Sequence, residues 1–273
     1  MQRSNLYIIV FSAVLTIVLG GMLSGTSVVL KPLQDKQVEL DTKKKILGAV
    51  MDISNITEPN EILALYQEKV TSTVVDFEGN VMEKDAKGVA LVAEKIDFQK
   101  NHNKFKKDVK SRPYPVFMFM KEDGSGVDAY IFPVFGTGLW DWISGFVALD
   151  SDLNTLRGVA FDHKSETPGL GARITEEAVK ARYIGKKLFG ADGTLQSVNM
   201  VKGEKGLPLD DHHIDGMSGA TLTGKGVNAM LIDYFTSYTT FIQNTRAAAT
   251  VVEEVVESEE EVETLESEEA VAE

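Results

Sequence analysis

The chain has no cysteine in its 273 residues. That absence excludes disulfides, thiolate-ligated iron–sulfur clusters, Cys-ligated zinc and a cysteine nucleophile. It leaves the redox compartment open, because a disulfide-free chain can fold on either side of a membrane. Basic charge is scarce as well, with 28 Lys+Arg against 41 Asp+Glu. The deficit is local: residues 250–273 hold 11 Glu and no basic side chain, which leaves 28 basic and 30 acidic residues before them. A near-neutral body with an acidic tail presents no basic face to a phosphate backbone, so nucleic acid is not an expected partner. There is no internal repeat, and no G-x-G-x-x-G run opens a helix to hold a dinucleotide.

One long apolar run is present. Leu6–Leu30 is 25 residues without a charge or a histidine, and 17 of them are apolar. About 20 such residues cross a bilayer core as a helix. A cleaved signal peptide would have a shorter apolar region, about 7–15 residues, ending at small residues. Gly20, Gly21, Ser24 and Gly25 supply small residues, but Val28, Val29 and Leu30 continue the run past them. A retained single-span anchor over residues 1–32 is expected. Orientation stays open on charge: Arg3 precedes the span, and Lys31, Lys36, Lys43, Lys44 and Lys45 follow it. The positive-inside rule weakens when a long domain follows.

Residues 33–245 read as a mixed α+β body. Leu33–Met51 and Glu61–Val70 have helical periodicity, and Thr175–Ile184 reads as a further helix. Pro115–Met120 and Val127–Val134 are apolar runs of strand length, and the turn residues of Lys121–Gly126 make them a hairpin. Gly145–Leu149, Leu156–Asp162 and Leu195–Val201 are further strand candidates. Strands joined by short turns predict a mostly antiparallel sheet with flanking helices. Residues 246–273 are Ala, Val and Glu without aromatics, a composition that predicts solvated disorder.

The most informative stretch is Asp215-Gly216-Met217-Ser218-Gly219-Ala220-Thr221-Leu222-Thr223. Apolar residues from Val227 to Ile242 then recur at three- and four-residue spacing, which predicts a long amphipathic helix. A helix start stabilises a phosphate through unpaired N–H groups and its partial positive charge. An ordinary serine cap fits the same residues. Gly219–Lys225 mimics a nucleotide-binding loop, but Gly226 stands where such a loop needs Ser or Thr for magnesium. Asp210-Asp211-His212-His213-Ile214-Asp215 has the donor types of a metal site, yet adjacent loop residues rarely converge on one ion. It reads instead as an exposed polar turn. Glu166 and Thr167 have only His163 nearby in sequence, a poor basis for a hydrolase.

Ser218-Gly219-Ala220-Thr221, with Asp215 three residues before it, resembles the covalent flavinylation motif of the FMN-binding domain family. Further segments resemble the family of C subunits of Na+-translocating NADH:quinone reductases. They are Leu33–Gln37, Gly136–Trp140, Glu166–Gly171, Gly185–Phe189 and Val201–Gly203, in family order from the anchor to about residue 235. The acidic tail departs from the family pattern. The resemblance implies FMN joined by its phosphate to the Thr221 hydroxyl, a flavin transferase as the enzyme that attaches it, and Asp215 as a recognition residue for that transferase. It implies a cofactor seat that includes Ser218, Gly219, Ala220, Glu166, Thr167 and Gly169. Leu139, Trp140 and Leu170 are candidates for the isoalloxazine slot, and Lys202 for a phosphate partner. By the same resemblance the chain relays single electrons in a complex of other subunits that oxidises NADH, reduces quinone and moves Na+. NADH would then bind elsewhere, and the body would face the periplasm from the inner membrane. Two alternatives remain at this level: the G subunit of an Rnf-type ferredoxin:NAD complex, and a membrane-anchored FMN-binding sensor.

Overall fold

A computed structural model describes the backbone of residues 5–206 and 209–271, with side-chain surroundings through residue 249. Arg3, the last two residues of the tail and the tail's side chains from 250 onward lie outside the described residues. The chain divides into two compact units, Met1–Lys44 and Lys45–Glu273.

The first unit is helical. Helix α1 runs over Asn5–Gly48 with Pro32 inside it, so the apolar run and the following amphipathic stretch form one continuous helix. It is long and apolar enough to cross a membrane, and its apolar window is not buried within the chain. Leu6, Ile9, Ile17, Leu23 and Val29 are all exposed.

The second unit is α+β. Helix α2 (Pro59–Lys69) starts with proline at its first position, where the missing N–H has no intrahelical acceptor to lose. It leads into β1 (Val70–Val75), a strand absent from the sequence reading, which gives Val70 to the preceding helix. After helix α3 (Phe98–Lys104) come β2 (Tyr114–Met120), β3 (Val127–Thr137), β4 (Trp142–Asp150) and β5 (Leu156–His163). These five strands form one antiparallel sheet in sequence order. Phe117 pairs with Ile131, Phe132 with Val147, and Val147 with Val159.

Gly171–Thr175 and Ala181–Tyr183 are short 3-10 turns flanking the four-residue helix α4 (Glu177–Lys180). One helix over Thr175–Ile184 does not form. The buried anchors Ile174, Val179 and Tyr183 are five and then four residues apart, which is not one helical face. The expected strand at Leu195–Val201 shrinks to β6 (Asn199–Met200), because Ser197 takes φ 61° and breaks the extended run. β6 pairs in parallel with β7 (His213–Ile214).

Helix α5 runs over Thr221–Val271. Its first six turns carry the apolar stripe across one sheet face, with Phe132 ring-to-ring at 5.7 Å from Phe235 and 4.8 Å from Tyr238. Each such buried ring contributes about 1.5–3 kcal/mol. The Tyr238 hydroxyl, fully buried, donates to the Pro115 carbonyl at 2.8 Å and so keeps its polar end satisfied. The backbone stays helical to Val271, where the composition predicts disorder; alanine and glutamate are strong helix formers.

Candidate functional site

The site lies where the first turn of α5 meets two loops: residues 138–141 between β3 and β4, and residues 164–171 after β5. Ile214, Met217 and Ala220 are buried and fix the approach to the helix, while Ser218 and Gly219 are exposed. Gly219 has φ 76°, a left-handed turn that lets the chain reverse into α5. A side chain there would also strike the Leu170 Cδ2 at 2.8 Å. Thus the 218–221 motif and the Glu166–Gly171 loop touch, although almost fifty residues separate them.

Ala220 takes the cap position, its carbonyl accepting from the Gly224 N–H at 3.0 Å. Alanine brings no side-chain oxygen to the first-turn amides, the role a serine or aspartate cap performs. Those donors are left at a helix start next to the half-buried Thr221. The expectation of a serine cap fails for this reason: Ser218 lies two residues too early.

Thr223, two residues on, is different. It is 1% exposed, and its hydroxyl donates to the Glu166 Oε2 at 2.5 Å. The Glu166 Oε1 accepts from the Trp140 backbone N–H at 2.9 Å. The Trp140 indole N–H donates to the Thr167 hydroxyl at 3.2 Å, which leaves its ring 67% exposed. Leu139, next to it in the chain, is exposed too, as are Leu170, which lies against Gly219, and Leu222 in the first turn of α5. An apolar surface with an aromatic ring standing in it can hold a planar heterocycle.

Close approach explains the glycines of both loops. A Cβ on Gly138 would sit 2.5 Å from the Glu166 Oε1, and one on Gly171 would overlap both the Glu166 carboxylate and the Thr223 hydroxyl. A Cβ on Gly226 would sit 2.5 Å from the Thr137 carbonyl. Gly226, the residue that disqualifies the nucleotide-loop reading, is thus where α5 leans on β3. Gly169 carries φ 73° in the turn closed by the Leu170 N–H to the Thr167 carbonyl.

On the other side of the motif, the backbone of residues 201–203 runs against Gly216. Asn228 of α5 clamps β6 by accepting from the Met200 N–H at 2.8 Å and donating to the Met200 carbonyl at 3.0 Å. Lys202 projects, exposed, from the loop so placed. The Asp215 carboxylate accepts from the Gly206 and Lys205 backbone N–H groups, which hold its carboxyl below the usual carboxylate range. Arg182 donates to the Asp215 and Gly216 carbonyls at 3.1 and 2.6 Å and pairs with Glu204. Arg173 pairs with the same glutamate through both of its terminal nitrogens at 3.0 Å. Arg173, Arg182 and Glu204 are not visible as site residues in the sequence, since only folding brings them to the motif. In the neighbouring turn, His213 pairs with Asp210 and the His212 ring meets the Lys187 carbonyl.

Residues 138–235 match the FMN-binding domain family. The chain is 32% identical to the C subunit of the Na(+)-translocating NADH-quinone reductase of Pseudomonas aeruginosa, over 84% of this chain and 91% of that protein. It is 33% identical to the corresponding C subunit of Neisseria meningitidis, over 82% of this chain and 90% of that one. The crystal structure of the C subunit from Parabacteroides distasonis superposes with a TM-score of 0.64 at 31% identity, covering 78% of this chain and 96% of that one. On this sequence, fold and site, the chain belongs to the family of C subunits of the Na(+)-translocating NADH-quinone reductases, and so to an oxidoreductase complex.

Proposed function

We propose that this chain carries FMN covalently on Thr221, through a phosphoester to its hydroxyl, and relays single electrons within a membrane-bound, Na+-translocating NADH:quinone reductase. One observation carries the reading. Thr221 opens α5 beside exposed Ser218 and Gly219, its cap residue supplies no side-chain oxygen to the first-turn amides, and the exposed Leu170 and Leu222 flank it. When bound, the flavin supplies the redox chemistry, and the protein supplies position and electrostatics.

The chain's own residues divide that task. The α5 amides offer donors to a phosphodiester, and the helix dipole favours its negative charge. Ser218, Gly219 and Ala220 keep the approach to Thr221 free of bulk, so a flavin transferase can reach the hydroxyl. Asp215, held by the Lys205 and Gly206 amides, is the recognition residue for that enzyme. Leu139, Trp140 and Leu170 receive the ring, with Trp140 oriented by Thr167. Gly169 shapes the turn that brings Leu170 to that apolar ledge, and Lys202 adds positive charge at its edge. The other subunits bind NADH and quinone, and α1 anchors the chain in the inner membrane with the body on the periplasmic side.

Production of the full chain with a flavin transferase tests the reading. Thr221→Ala is expected to abolish the fluorescent flavin band on a denaturing gel, and Thr223→Ala to retain it. A band lost only in the Thr223 variant would move the attachment site.

A further inference from the structure

We propose that Glu166 is a positioning residue for the flavin seat, and that its buried negative charge lowers the reduction potential of the flavin held there. The inference rests on the attachment reading above. Glu166 is 4% exposed, and each of its oxygens accepts one hydrogen bond, from the Trp140 N–H and from the Thr223 O–H. Acceptor at both ends is the pattern of a carboxylate. Among the described residues no lysine or arginine pairs with it.

A buried carboxylate without a cation is costly, and the cheaper solution would be an apolar or amide side chain. Here the chain goes further and leaves out two Cβ atoms, at Gly138 and Gly171, to make room for it. The two donors that it ties belong to the two sides of the site. Trp140 stands on the apolar ledge, and Thr223 lies in the first turn of α5, two residues after Thr221. One side chain therefore sets the spacing between ledge and attachment point. Its negative charge, in a poorly solvated position under both, opposes the addition of electrons to a neighbouring group.

Charge and geometry separate by substitution. Glutamine preserves both links, its oxygen accepting from the Trp140 N–H and its amide donating to the Thr223 oxygen, while the charge is gone. Aspartate preserves the charge but is too short to reach both partners. The full chain with FMN attached is titrated spectroelectrochemically in each form. Glu166→Gln is expected to keep flavin attachment and melting temperature and to shift the one-electron equilibrium toward reduction about tenfold, ~59 mV. Glu166→Asp is expected to melt earlier with its potential near wild type. An unmoved potential in Glu166→Gln, or an equal rise in Glu166→Asp, would overturn the proposal. If the Gln variant does not fold, Glu166→Asp decides: a potential within a few mV of wild type with an earlier melt supports the proposal, and a rise of ~59 mV with the charge kept overturns it. Thr221→Ala runs in parallel: flavin retained there locates the failure in the attachment reading rather than in the role of Glu166.

Discussion

Thr223 donates its hydroxyl hydrogen to Glu166 across 2.5 Å, in a contact where both side chains are almost wholly buried. That bond distinguishes two threonines only two residues apart. The Thr223 oxygen faces inward and serves the fold, whereas Thr221 is half-exposed beside a glycine turn. The same bond joins α5 to the loop after β5 and, through the other carboxylate oxygen, to the loop after β3. Disturbing that junction should therefore be felt at both sides of the site.

Gly171→Ala places a methyl group against the Glu166 carboxylate and the Thr223 hydroxyl. Overpacking at such a position costs about 1–3 kcal/mol. Thermal unfolding of the detergent-solubilised chain is expected to show that loss, together with reduced flavin attachment. Gly126→Ala, where a Cβ meets nothing within 4 Å, is the matched control and should be neutral.

Two groups place acid sensitivity in separate pH windows. Burial, with Arg112 and Lys106 nearby, pushes His102 down from 6.5 to about 4. The unfolded chain therefore binds its proton first, so the stability from keeping His102 neutral is complete above pH 6.5 and is lost toward pH 4. Glu204, hydrogen-bonded by Arg173 and Arg182, is held down from 4.5 to about 2. Its contribution is present above pH 4.5 and is lost as pH falls through 2. Denaturant melts across pH should show His102→Phe flattening only the upper window, because the ring still stacks on Tyr234. Glu204→Gln should flatten only the lower one.

Much of this is legible from residue patterns. Strands β2 to β5 announce themselves as apolar runs closed by turn residues, and the Ser218–Thr221 motif stands directly before the stripe that forms α5. The rest depends on partners far apart in sequence. Glu166 takes its meaning from Trp140 and Thr223, which are 26 and 57 residues away, and Arg182 from Glu204, 22 away. β1 escapes a pattern reading because Thr71, Ser72 and Thr73 break its apolar run. Pro32 lies inside α1, so the helix itself runs on beyond the apolar segment.

The acidic tail should be dispensable for the body. Ile242 is the last fully buried residue of α5 among those described, and Arg246 still lies over the Phe189 ring at 5.8 Å. Removing residues 250–273 is expected to leave flavin attachment and melting temperature nearly unchanged. A large drop in either would mean that the tail packs on the body.

Orientation is open to direct labelling, because the chain has no native cysteine. Ser125→Cys, in the exposed turn between β2 and β3, gives one reactive thiol. In intact cells it should react with a membrane-impermeant reagent. Reaction only after lysis would place the body in the cytoplasm.

The attachment of FMN to Thr221 is tested most directly by peptide mass mapping of the full chain produced with a flavin transferase. One peptide spanning Ser218–Lys225 is expected to be heavier by one FMN less one water, with fragment ions assigning the added mass to Thr221. An unmodified Thr221 in fully flavinylated protein, or the added mass on Ser218 or Thr223, would contradict it.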